Sequence, residues 1–189
     1  MQHRFGLLIF TVFALLPVAA AGQTESYPDT MPADSTTRVI YLVRHAEKCE
    51  GQGSNPGLTE AGRERARLLA HMLTDAPISA VYTTPYHRTR DTAQPVAEAH
   101  GLDPVEVDAR SQFNGDLARE LRASDHPASI VVGHSNTIPP LVNSLAGSDY
   151  PTHSEAVYDR LYIVTLPADG SPHAIMLRYG VEFATEAGC

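Results

Sequence analysis

The sequence predicts a three-layer α/β/α sandwich in which helices cover both faces of a mostly parallel sheet. Between residues 38 and 180, short β-rich runs alternate with helical stretches, an order that makes crossover connections between parallel strands. The residues with chemistry to offer fall just after the strands, at Arg44-His45, Thr83 to Arg88 and His134, where the loops of an open α/β sheet gather. The stretch from Arg38 onward is about 150 residues long, enough for one core and too short for two ordinary domains.

Arg38-Val39-Ile40-Tyr41-Leu42-Val43 reads as the first strand. Leu58 to Gly62 opens a helix with Thr59 as its N-cap, and Ala66, Leu69, Ala70 and Leu73 are spaced for one buried face. Arg63, Arg65 and Arg67, mixed with Glu60 and Glu64, read as that helix's charged solvent face. A second strand, Ile78 to Tyr82, enters Thr83-Thr84-Pro85, and Tyr86 to His100 reads as the next helix, with Pro95 near its middle or marking a break. A short strand at Val105 to Val107 is followed by a helix over Asp116 to Ala123. Ser129 to Val132 is a strand that runs into Gly133-His134-Ser135, and Thr137 to Leu145 resumes a helix around Pro139-Pro140. Leu161 to Leu166 and Ala174 to Tyr179 are two closing strands.

The first 21 residues are expected to be an export signal. Gln2-His3-Arg4 gives a basic start, Phe5 to Leu16 an apolar run, and Ala19-Ala20-Ala21 a small-residue cleavage region. The apolar run is shorter than the ~20 residues of a membrane-spanning helix, so no span is expected in the mature form. Residues 22–37, rich in Ser, Thr, Pro, Asp and Gly, are expected to be a solvated leader, with the folded domain over 38–189. Export places the protein in a periplasm or outside the cell. In that setting Cys49 and Cys189 could form a disulfide or remain two separate thiols.

The formal net charge of −8 argues against nucleic acid as a partner. A local cluster of arginines can still hold an anion in one cleft of an acidic molecule. Arg44 and Arg88 offer paired N–H donors that match phosphate oxygens and keep their charge at any working pH. A neutral imidazole, with an ordinary pKa of about 6.5, is a competent nucleophile toward phosphorus. His45 takes that role here, and His134 donates to the oxygens that gain charge.

Four segments resemble the histidine phosphatase superfamily, whose members are also called phosphoglycerate mutase-like. They are Leu42-Val43-Arg44-His45-Ala46-Glu47, with Ala46 in place of the family's glycine; Gly57 to Gly62; Thr83 to Ala93, carrying Arg88; and Val131 to Ser135, carrying His134. The resemblance spans about residues 38 to 180. It implies a phosphoglycerate mutase-like fold, a phosphohistidine intermediate on His45, phosphoryl contacts from Arg44, Arg88 and His134, and neither a metal nor an organic cofactor.

Larger members of the family place a proton-donating carboxylate between the second arginine and the second histidine. Here that segment offers Asp108, Asp116 and Glu120, with Asp116 the candidate; as an alternative, Asp116 caps the helix that follows. Asn136 is the best further substrate contact, whereas Glu47, Lys48 and Asn55 read as solvated loop residues and His87 as a supporting group beside Arg88. The substrate expected is a phosphorylated small molecule or phosphoprotein. The chain shows no obvious means of retaining a bisphosphorylated sugar acid, which favours a hydrolase over a mutase-type phosphotransferase. A non-catalytic phospho-ligand binder on the same fold is the chief alternative. A metal held by His45, His87 and His134 is disfavoured by two arginines beside it.

Overall fold

The computed structural model describes residues 37–113, 115–181 and 189; the expected export signal and nearly all of the expected leader lie outside these. Its strands are β1 (Arg38–Arg44), β2 (Ile78–Thr83), β3 (Val105–Glu106), β4 (Ala128–Gly133), β5 (Arg160–Leu166) and β6 (His173–Arg178). Its helices are α1 (Glu60–Met72), α2 (His87–His100), α3 (Ala109–Phe113), α4 (Asp116–Ala123) and α5 (Ile138–Ala146). The strands form one sheet in the order β3-β2-β4-β1-β5-β6. Neighbours from β3 to β1 pair in parallel, while β5 is antiparallel to both β1 and β6. Within this sheet β5 therefore runs against the other five, and the sheet is mostly parallel, as the sequence predicts.

Side-chain alternation along the strands explains the two covered faces. Ile40 and Leu42 of β1 pack with Leu117 and Leu121 of α4 and Leu141 and Leu145 of α5. Val43, one step on, packs on the other face with Leu69 of α1, Leu73 just past its end and Val96 of α2. All six residues of β4 are buried, as befits a central strand covered on both faces.

Local signals set the helix ends. The Gly62 N–H donates to Thr59 Oγ1 at 3.0 Å, so the N-cap works as expected. Pro95 lies inside α2 without ending it; the residue four back, Asp91, whose carbonyl loses its helical donor, is exposed to solvent. The sequence reading missed α3, which is a single short turn. It follows Asp108, whose Oδ1 accepts from the Arg110 N–H at 2.8 Å.

Two expectations about charged residues are corrected. Arg65 does not share the solvent face of Arg63 and Arg67, and Glu47 is not a solvated loop residue. They form a buried pair with Nη2 2.7 Å from Oε1, and Arg65 Nε also donates to both carboxylate oxygens, at 2.9 and 3.0 Å. Arg65 further donates to the carbonyls of Tyr179 and Val181, both at 2.8 Å. Satisfying nearly every polar atom is what makes such burial tolerable. Gly62 lets α1 and the segment at Glu47 approach, because a Cβ there would sit 2.3 Å from the Glu47 carbonyl oxygen. Of the alternatives for the cysteines, the disulfide Cys49–Cys189 is the one formed, with Cα atoms 5.6 Å apart. Among the described residues, no helix is long and apolar enough to cross a membrane.

Candidate active site

The carboxyl ends of β1, β2 and β4 bring three loops together. The His45 N–H, just past β1, donates to the Gly133 carbonyl at the end of β4, at 2.9 Å. Past β2, Thr84 Oγ1 is 2.9 Å from His134 Nε2. Gly133 is small by necessity: a Cβ there would meet Gln112 Oε1 at 2.4 Å and Ile138 Cδ1 at 2.8 Å. The rings of His45 and His134 end with centroids 5.5 Å apart and planes inclined by 68°. Both line a cleft of about 280 Å³ together with Arg88, Lys48, Asn136 and Glu155.

His45 Nδ1 lies 2.7 Å from the Ala46 carbonyl oxygen. A carbonyl can only accept, so Nδ1 carries the proton and Nε2 keeps its lone pair. Burial, reinforced by the charges of Arg44, His134 and Arg88, pushes the His45 pKa down to about 2 against the opposing pull of the Ala46 hydrogen bond. The ring is neutral at any working pH. Burial is also the main cause for His134, with Arg88 and Arg44 adding to it and Glu155 opposing, and its pKa falls to about 4. Thr89 Oγ1 has carbonyl acceptors in Thr84 and Tyr86, at 2.8 and 2.9 Å, and lies 3.0 Å from Thr84 Oγ1. The Thr84 hydroxyl, itself held beside Thr89, occupies Nε2 of His134.

The two arginines differ. Arg88, near the start of α2, is half-buried with Cζ 4.4 Å from the centre of the Tyr86 ring. Burial holds its pKa below the ordinary guanidinium value, and Arg44 adds to the effect. Arg44 is 1% exposed and does not stand open to the cleft as a clamp would. Nη1 donates to the carbonyls of Ser154, Glu155 and Val157 at 3.2, 2.9 and 2.9 Å, and Nη2 to Glu155 Oε2 at 2.8 Å. Its Cζ lies 4.1 Å from the centre of the Tyr158 ring. The Nε atoms of Arg44 and Arg88 are both buried without a partner among the described residues. Each such orphan donor costs about 1–3 kcal/mol, a penalty that an anion beside them would relieve.

Asp116 does not line the cleft. It stands exposed in the first turn of α4, paired with Arg119, so the proton-donor role is corrected. The alternative is corrected as well, since the N-cap of α4 is Gly115. Asn136 is exposed and does line the cleft. His87 is exposed and turned to a structural use, its backbone N–H donating to Asn55 Oδ1 at 2.9 Å. Lys48, read as a solvated residue, lines the cleft and lies 3.4 Å from Glu50. Sequence reasoning missed Glu155 and Tyr158, which belong to the connection between α5 and β5 and sit in no recognisable pattern. Among the described residues, no group of three or more His, Cys, Asp or Glu side chains could hold a metal ion.

Comparison with known proteins gives the same frame. Residues 40–114 match the model of the histidine phosphatase superfamily (branch 1). The chain is 40% identical over 73 residues to a Serratia proteamaculans protein named "Probable phosphoglycerate mutase GpmB", covering 35% of this chain and 34% of that one. It is 37% identical over 93 residues to phosphoserine phosphatase 1 of Hydrogenobacter thermophilus, covering 43% of this chain and 44% of that one. The matches thus span between a third and a half of the length of these curated relatives. The protein histidine phosphatase SixA, solved with tungstate, shares the fold with a TM-score of 0.59 at 20% identity, over 74% of this chain and 96% of that one.

Proposed function

Because this chain belongs to the histidine phosphatase superfamily, we propose that it is an exported phosphatase that moves a phosphoryl group first to His45 Nε2 and then to water. Its substrate is a phosphomonoester, a phosphoanhydride or a phosphohistidine, and the reaction needs no metal. The observation that carries the reading is the hydrogen bond from His45 Nδ1–H to the Ala46 carbonyl, which leaves Nε2 unprotonated in the cleft. The Nε2 lone pair forms the bond to phosphorus while the bond to the leaving group breaks, taking its electron pair to the leaving atom. Arg88 and His134 line the cleft where the phosphoryl oxygens gain charge. Water then attacks the phosphohistidine, phosphate departs, and His45 regains its free Nε2.

The leaving group is narrowed by what the cleft holds. Asp116 is not among the residues that line the cleft, and Glu155 is kept as a carboxylate by its bond from Ser135, burial opposing and Arg44 assisting. Neither stands ready to give a proton, so groups that need none from the enzyme, such as the imidazole of a phosphohistidine whose ring is already protonated or the phosphate of an anhydride, fit best. The SixA relationship supports the same choice. Export is supported by the basic-apolar-small pattern of residues 1–21 and by the Cys49–Cys189 disulfide, a feature of oxidising compartments.

The test is hydrolysis of para-nitrophenyl phosphate in the presence of a chelator by wild type, His45→Ala and His134→Ala. Turnover in chelator that disappears with His45→Ala is the expected result. Activity that survives this change would refute the assignment of the nucleophile.

A further inference from the structure

Glu155 stands between the two chemistries of the cleft, and its position is unusual for an acidic residue in an anion site. Oε2 accepts from Arg44 Nη2 at 2.8 Å, and Oε1 accepts from the Ser135 hydroxyl. One carboxylate thus bridges a guanidinium and a hydroxyl in the way that two oxygens of a phosphoryl group would. We propose that Glu155 is a built-in competitor for phosphate, occupying part of the phosphoryl position and yielding it only to a ligand that binds Arg44 and Ser135 better. This rests on reading the cleft as a phosphoryl site.

Three observations separate a competitor from a strut. First, the Glu155 side chain is 72% exposed, so it can swing into solvent with little loss of packing. Second, Arg44 does not depend on it for position, since Nη1 is held by the carbonyls of Ser154, Glu155 and Val157 and its face lies on Tyr158. With the carboxylate gone, Arg44 stays where it is and Nη2 becomes free. Third, Glu155 removes positive charge from the wall that would attract an anion: its carboxylate offsets Arg44, leaving Arg88 and Lys48 as the cleft's other cations. Any phosphate, substrate or product, must displace this carboxylate, and its apparent affinity falls by the fraction of time the position is occupied. The consequence is a site that releases its product readily, at the expense of tight substrate binding.

The sign of one measurement decides between the two roles. Inorganic phosphate is titrated into wild type, Glu155→Gln and Glu155→Ala by calorimetry at pH 7.5 and fixed ionic strength, with thermal unfolding of each recorded alongside. A competitor predicts at least tenfold tighter phosphate binding in Glu155→Ala, a smaller gain in Glu155→Gln, and unchanged melting. Unchanged or weaker binding in Glu155→Ala, or no phosphate binding by any of the three, overturns the proposal. Turnover of para-nitrophenyl phosphate by wild type is scored separately, so an inactive protein whose phosphate affinity still rises in Glu155→Ala would count against the phosphatase reading and for the competitor.

Discussion

Acidification should destabilise this protein well before most of its carboxylates titrate, and three histidines held neutral by burial, His45, His134 and His153, set the size of the effect. His45 is 3% exposed and His134 8% exposed, and burial pushes their pKa values down to about 2 and about 4. In the unfolded chain each returns to about 6.5. Above that value both states are neutral and the histidines contribute nothing to the pH dependence. As pH falls below it, the unfolded chain binds protons that the folded protein refuses, so stability drops until the folded pKa is reached. Between pH 6.5 and pH 5 this amounts to about 1.5 units at 1.36 kcal/mol each, or about 2 kcal/mol per histidine. Urea unfolding of wild type and His134→Gln at pH 8, 7, 6 and 5, in phosphate-free buffers, isolates the contribution. The variant's loss between pH 8 and pH 5 should be smaller than that of wild type by about 2 kcal/mol, whatever its stability at pH 8. Parallel curves would show that His134 takes up protons as readily in the folded protein as in the unfolded chain and would refute its lowered pKa.

Further expectations follow from the supports around the cleft. Replacing Arg65 by Ala leaves the Glu47 carboxylate buried without its partner, and urea unfolding should show a loss of about 3–5 kcal/mol; a loss under 1 kcal/mol would mean that water reaches Glu47. Cys189→Ser opens a disulfide that joins residues separated by 140 positions and should lower stability by about 2–5 kcal/mol, with dithiothreitol destabilising wild type but not the variant. Gly62→Ala would place a methyl group 2.3 Å from the Glu47 carbonyl oxygen. It should cost about 1–3 kcal/mol and also reduce kcat, because the chain that must shift lies two residues from His45; unchanged stability would show that α1 can move aside freely.

The sequence made some parts of this molecule legible and hid others for a physical reason. Thr59 could be read as an N-cap because the Thr59–Gly62 hydrogen bond is local, and β1 and β4 could be read because their apolar residues are consecutive. His45, Arg88 and His134 were found because each follows a strand or begins a helix, and the fold brings such positions to one end of the sheet. Arg65 failed the same reasoning. It sits among Arg63, Glu64 and Arg67, and its burial comes from Glu47, Tyr179 and Val181, partners 18 to 116 residues away whose approach no local pattern records. Asp116 failed in the opposite sense: it lies in the expected segment, but α4 leaves it outside the cleft lining. Glu155 shows the general limit. It reaches Arg44 across 111 residues from a connection without periodicity, so chain order could supply the arginine but not what the arginine is bound to. In this cleft that partner decides how strongly phosphate can be held.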